Sequence, residues 1–438
     1  MYKKTKKNGK LDFLDIFSVA FILYIAAGAT AFARSFQTWE NPLALIIPII
    51  ISIRFLYKYK VIINKYFVSL IFFFLIYFIF LTIKFNEIHY KFLFIYPISF
   101  FIAYSIIMAL KLKFFIIYEK LLIYLCVIAM FFWIIQIFIP EQLTNFLKNL
   151  TLLEPYKDII KAQIGVYTII VEGVDSYLPR NSGFAWEPGA FSVFISFAIF
   201  VNLVLNKFKL KKNYGLYILI ITLISTQSTT GYSICLLIAV LYFINIKIKS
   251  GIVLFIPLFI IGLFYLFSLP FMYEKIDGLF SEKITDVVST GSEEWNSNKT
   301  IDAQRFVSFQ IDFVDFLNNP ILGYGGHDED MWTKKDNVNV ISISGIGKIL
   351  ARFGLVGTLF FLIVLYRNSI KYSQRFNYKG KLILFFLILQ ISISYSLIEN
   401  PIFLCFWMFF YFDPKIESFD IELNSKKIKS KYYNLVNS

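Results

Sequence analysis

Apolar runs of bilayer-crossing length recur along this chain, near 12–33, 66–83, 92–110, 121–139, 188–206, 251–270, 352–366 and 382–398. A helix needs about 20 apolar residues to cross roughly 30 Å of hydrocarbon. Shorter runs near 43–57, 214–228, 230–246 and 401–413 bring the sum to about twelve. The prediction is an all-α fold, a polytopic transmembrane helical bundle of about 12 spans. With 58% hydrophobic and 16% charged residues, the chain has more apolar surface than one soluble core can bury. The many Phe and Tyr residues suit a bilayer interior with amphipathic rings near the headgroups.

The lysines test the span count, because cytoplasmic connections carry Lys and Arg. Lys3, Lys4, Lys6 and Lys7 lead the chain; Lys58, Lys60 and Lys65 follow the second run, and Lys111 and Lys113 the fourth. Lys207 to Lys212 follow the sixth, Lys247 and Lys249 the eighth, and Arg367 to Lys381 the tenth. Lys426, Lys427, Lys429 and Lys431 mark a basic tail, so both termini read as cytoplasmic. The net charge of +14 is therefore the footprint of topology, and nucleic acid is excluded as a partner. Ala31 to Ala33 resemble a signal cleavage site, but Asp12 and Asp15 interrupt the start and the apolar stretch exceeds the usual h-region, so the first run reads as a retained span. Cys126, Cys235 and Cys405 fall inside apolar runs and offer no disulfide framework.

This topology divides the chain into spans 1–5 (1–139), a large extracytoplasmic loop (140–187), spans 6–9 (188–270), a second such loop (271–341), spans 10–12 (342–413) and a basic tail (414–438). The second loop holds thirteen Asp or Glu against six Lys or Arg. Within it, 302–319 places Phe306, Phe309, Phe313 and Phe316 on one helical face, which predicts an amphipathic helix on or against the membrane domain. No internal repeat is visible, which weakens a repeat-built transporter.

Two arginines stand out on the outer side. Arg180 opens RNSGFAWEPGAF, where Pro188 suits the first turn of the sixth span and Glu187 its electropositive end. Arg305 opens the amphipathic stretch, followed by Pro320, Gly323, Gly325 and Gly326, which force an irregular chain. A guanidinium keeps its charge and grips phosphate bidentately, so two of them at the outer boundary suit a lipid-linked diphosphate. An arginine in such a loop can equally pair with a carboxylate or snorkel to headgroups. Lys348 and Arg352, one helical turn apart at the tenth span, either snorkel outward or add charge to the same anion site. Glu187 and His327 are the candidate catalytic bases, with His89 a weaker one. The run Asp328 to Asp330 resembles a metal-holding acidic triplet, but neither histidine has ligand spacing to it, so no metal and no cofactor is expected. There is no P-loop, dinucleotide fingerprint or nucleophile elbow.

From Arg180 to Tyr366 the chain resembles the O-antigen polymerase and O-antigen ligase superfamily. The resemblance is carried by RNSGFAWEP before a span, the STQSTTGYSICLLI hairpin, Arg305 with the NPILGYG that follows its helix, and GIGKILARFGLVG. It implies a lipid-phosphate-dependent glycosyltransferase of the bacterial cytoplasmic (inner) membrane. The implied donor is a glycan on undecaprenyl diphosphate, with Arg180 and Arg305 stabilising the leaving group. A chain-length regulator and a flippase are implied as partners beside membrane lipid. The ligase branch carries a histidine about eleven residues ahead of the glycine matching Gly354; here Ile343 stands in that place, which favours a repeat-unit polymerase over a ligase. A lipid-linked sugar flippase is the competing class, though flippases tend to have short loops on both sides.

Overall fold

The computed structural model describes residues 12–28, 33, 43–150, 160–171, 178–246, 282–297, 301–326, 328–396 and 400–413. The chain begins with α1 (Phe13–Ala27), α2 (Leu43–Tyr59), α3 (Lys65–Phe85), α4 (Tyr90–Leu110) and α5 (Lys113–Phe138). Asp12 and Asp15 cap α1 reciprocally, with each carboxylate accepting from the other's backbone N–H. Arg54 and Lys58, near the end of α2, bond both carboxylates. The acidic start of one helix thus meets the basic end of the next, a pairing that both helix dipoles favour.

Segment 140–187 holds α6 (Pro140–Leu150) and the antiparallel hairpin β1 (Ile160–Ile164) and β2 (Tyr167–Ile170). Leu143 and Leu147, four residues apart, form the buried face of α6. Then come α7 (Pro188–Leu205), α8 (Tyr214–Ser225) and α9 (Thr229–Asn245). α7 is the centre of the bundle, 94% buried over its apolar window. Phe191, Phe194, Phe197 and Phe200 are all essentially inaccessible, and Phe194 and Phe197 meet Phe403 at 5.2 Å between ring centroids. A helix apolar on every side is one surrounded by other helices.

Segment 271–341 contributes α10 (Ile284–Glu293), β3 (Ile301–Asp302), α11 (Arg305–Asn318), α12 (Trp332–Lys335) and β4 (Val340–Ile341), with β3 and β4 pairing in parallel. The chain then returns through α13 (Gly345–Phe376), α14 (Ile383–Ser394), α15 (Pro401–Trp407) and α16 (Phe409–Phe412). The protein is mostly helical, as expected; the two small sheets depart from an all-α reading and lie in segments 140–187 and 271–341.

Among the described residues five helices are long and apolar enough to cross a membrane: α3, α4, α5, α7 and α13. α1, α8, α9 and α14 are apolar but shorter. The run at 251–270 lies outside the described residues. The tenth span differs from expectation. It is not confined to 352–366 but belongs to a 32-residue helix from Gly345 to Phe376, broken at Gly354 (φ 59°, ψ −160°). The last run is two short helices, not one. Hydropathy registers apolarity and not backbone continuity, which is why the break was invisible to it.

Candidate functional site

The loop 319–326 fills that break. Leu355 N donates to Pro320 O at 2.8 Å and Val356 N to Ile321 O at 3.2 Å, while Tyr324 N and Gly325 N donate to Ala351 O and Arg352 O at 3.0 Å each. Backbone groups freed by a helix break must find partners away from water, and here the loop supplies them. The fit needs glycine on both sides. A Cβ at Gly354 would lie 2.4 Å from Ile321 O, and one at Gly323 would lie 2.3 Å from Arg352 O; both residues have positive φ. The Gly/Pro stretch singled out in the sequence is thus a plug for the helix.

α11 leads into this loop, and its amphipathy runs opposite to that of a simple surface helix. Phe306 and Phe313 are exposed, and the Phe309, Phe313 and Phe316 rings lie in sequence 5.6–6.0 Å apart. The buried face carries Val307 and Ile311, which pack with Val287, Val338 and Val340 of the same segment, together with Ser308, Asp312 and Asp315. Asp315 accepts from Trp332 N at 2.8 Å, and burial pushes its carboxyl up to about 6. Asp312 accepts from Ser342 Oγ at 2.7 Å. Burial pushes its carboxyl up to about 7 against the opposing pull of that hydrogen bond and of the Lys348 and Arg352 charges.

Arg305, at the first position of α11, reaches into the bundle. Nη1 donates to Thr230 Oγ1 at 2.9 Å and Nη2 to Tyr395 OH at 3.2 Å. The guanidinium also lies over the Tyr395 ring, 5.2 Å from its centroid. Thr230 in turn meets Ser394 Oγ at 3.0 Å. Thr230 comes from the STQSTTG turn, where α8 and α9 are separate helices and Ser228 caps α9. Gly231 lets α9 approach α7, since a Cβ there would lie 2.7 Å from Ser192 Cβ.

Tyr395 is the point on which Glu187, Arg305 and Arg180 converge. Its hydroxyl lies against the first turn of α7 at Gly189, within reach of the Glu187, Arg305 and Arg180 charges. Arg180 also acts on Tyr232. The RNSGF segment carrying Arg180 is held from both sides. Trp133 Nε1 donates to Pro179 O at 2.7 Å, Asn181 Nδ2 to Ser225 Oγ at 2.9 Å, and Thr168 N to Gly183 O at 2.7 Å. Glu187 is the N-cap of α7, with Pro188 in the first turn as the sequence suggested. Gly189 follows where only a glycine fits against the Tyr395 hydroxyl.

Lys348 and Arg352 form a second group, on the first half of α13. Arg352 Nη1 donates to Tyr96 OH at 2.6 Å, and its charge acts on Tyr77 as well as on Asp312. The six candidates named from sequence thus divide. Arg180, Glu187 and Arg305 gather around Tyr395, and Lys348 and Arg352 gather beside Asp312. His327 lies outside the described residues. His89 is buried, with Nε2 3.6 Å from Asp330 Oδ2. Among the described residues no three His, Cys, Asp or Glu side chains converge as metal ligands. Sequence reasoning missed Tyr395, Tyr96 and Asp312. The first two sit in apolar runs of a chain with 28 tyrosines, and the third is one acid among many.

Residues 214–362 match the family model described as O-antigen ligase. The match covers about a third of the chain and is consistent with the O-antigen polymerase and ligase superfamily. The matched stretch takes in Thr230, Arg305, Asp312, Lys348 and Arg352, while Arg180, Glu187 and Tyr395 stand outside it. Members of the superfamily are glycosyltransferase-like enzymes, and with its apolar helices the chain is a multi-pass membrane protein. No curated protein and no solved structure matches the chain.

Proposed function

We propose that this protein joins undecaprenyl-diphosphate-linked oligosaccharide repeat units into a surface polysaccharide, such as O-antigen, capsule or exopolysaccharide, on the outer side of the cytoplasmic membrane. The observation that carries this reading is the gathering of Arg305, Arg180 and Glu187 around Tyr395. In the proposed step the acceptor sugar hydroxyl attacks the donor's anomeric carbon. The bond from that carbon to the diphosphate oxygen breaks, and the hydroxyl proton passes to Glu187. Lipid diphosphate departs with its negative charge held by Arg180 and Arg305, so the donor itself supplies the driving force. Tyr395 and Thr230 keep the Arg305 fork in one orientation, which a bidentate grip on phosphate requires. Ile343, where a ligase histidine would be expected, supports polymerisation over transfer of finished polymer. A chain-length regulator and a flippase are the proposed partners.

The test is reconstitution of the full chain in liposomes with lipid-linked repeat units. A ladder of elongated products is expected from the wild type and not from Arg305→Ala. Normal ladders from the variant would overturn the role given to the arginine. Relocation of substrate without elongation would identify a transporter, and transfer only of preformed polymer would identify a ligase.

A further inference from the structure

A cavity of about 640 Å³ runs between α3, α4, the second half of α13 and the α15–α16 pair. Its walls are aromatic and aliphatic, with Phe74, Phe100, Phe353, Phe360 and Trp407 among them. Phe73, Val356 and Ile363 on its rim are 64%, 48% and 50% exposed, so it opens sideways to lipid. From Phe353 to Lys371, both of which line it, the helix rises about 27 Å. That nearly equals the roughly 30 Å of the hydrocarbon layer. A phospholipid acyl chain reaches only to the bilayer middle, whereas a groove of this length suits a longer single chain.

The two ends differ. At the inner end Asn368 is engaged with Phe406 O and Phe410 N, and Arg367 and Lys371 line the groove, the first exposed and the second half-buried, as cations gather on a cytoplasmic face. At the outer end Tyr77 and Tyr96 line the groove, and Arg352 is half-buried with its guanidinium on Tyr96 OH. Lys84 is anchored close by, on Asn319 Oδ1 at 2.6 Å and Gly323 O at 3.3 Å. The cations held against the groove's own hydroxyls and loop are thus at its outer end. This groove is separate from the Tyr395 site but close to it. Gly345 packs on the Tyr395 carbonyl, where a Cβ would lie 2.2 Å away, and Phe353 is about 12 Å further along the same helix.

We infer that the groove seats the polyprenyl chain of a second lipid-linked substrate, the acceptor, with its phosphate at Arg352, across helix 345–353 from the donor site. The word acceptor rests on the proposed polymerase activity; the binding of a polyprenyl phosphate does not. The probe is undecaprenyl phosphate without sugar, titrated against the purified full chain by native mass spectrometry, with phosphatidylglycerol as competitor. Val356→Trp and Ile363→Trp fill the groove from half-exposed positions, Arg352→Gln removes the cation, and Ile79→Trp is a lipid-facing control outside it. Each of the first three is expected to weaken undecaprenyl phosphate binding by about ten-fold or more, with Ile79→Trp and thermal stability unchanged. Equal retention of phosphatidylglycerol, or unchanged binding in both tryptophan variants, would overturn the groove. Lost binding with intact elongation would remove the acceptor role and leave the polymerase standing. Groove-confined binding with no elongation by the wild type would do the reverse.

Discussion

Two sets of buried or half-buried charges in this protein are built on opposite plans. At the start of the chain Asp12 and Asp15 face Arg54 and Lys58 at 2.6–3.1 Å. Asp15 is fully buried and also accepts from Tyr59 OH at 2.6 Å. Two cations meet two anions, so nothing is left to attract a ligand. At the Tyr395 site, among the described residues, the Arg305 guanidinium is bonded to two hydroxyls and lies on a ring face. Hydroxyls and rings orient a guanidinium without cancelling its charge. The first arrangement belongs to folding, and the second keeps positive charge available to an anion.

That contrast is open to direct attack, starting with the largest effect. Asp15→Ala leaves two cations facing one partly exposed carboxylate and is expected to destabilise the protein by about 3–5 kcal/mol. Elongation per folded molecule should stay unchanged; a selective loss of activity would erase the distinction. Arg305→Ala should invert the pattern, slowing elongation roughly a hundred-fold or more, about 3 kcal/mol, with little change in melting temperature. Gly354→Ala tests the joint between loop and helix. Its backbone conformation is one that only glycine adopts readily, so a loss of about 2 kcal/mol is expected, along with slower elongation, because α11 is displaced.

The buried acid Asp312 sharpens the comparison through pH. Its carboxyl is raised from the usual 3.8 to about 7 by burial, so the folded state holds a proton that the unfolded state releases. Stability should therefore fall as pH rises from about 4 to about 7, by about 3 kcal/mol. Asp312→Asn should reduce that slope in melting curves taken across this range, leaving the smaller part that the raised Asp315 carboxyl contributes. An unchanged slope would assign the pH dependence elsewhere. The smallest effect is expected of Tyr395→Phe, which keeps the ring under Arg305 and removes one hydroxyl, costing about 1 kcal/mol in elongation rate. A much larger loss would mean that Tyr395 itself touches the reacting groups.

Much of the fold was legible because a bilayer demands long apolar segments, and α3, α4, α5 and α7 lie close to where hydropathy put them. The break at Gly354 was not, since it depends on a loop some thirty residues earlier in the chain that replaces the missing backbone bonds. The site was half legible. Arg180 and Arg305 drew attention because outer arginines are rare here, and the Ser/Thr turn proved to contain Thr230, which holds one of them. Tyr395 resembles any of the 28 tyrosines until its neighbours are known. Asp312 was hidden by a rule that usually serves well, that the acids of an amphipathic helix face water; here they face inward and the phenylalanines outward.

The plugged helix break also fixes a length. α11 starts at Arg305, ends at Asn318, and passes at once into a loop bonded to residues 351–356, next to Arg352. The helix is therefore a strut of about 20 Å with one cation at its free end and another at its clamped end. Adding a single residue within it would turn everything beyond by about 100° and unseat either the fork or the plug. Evolution can repaint the exposed face of this strut, but its residue count is as constrained as any side chain in the site.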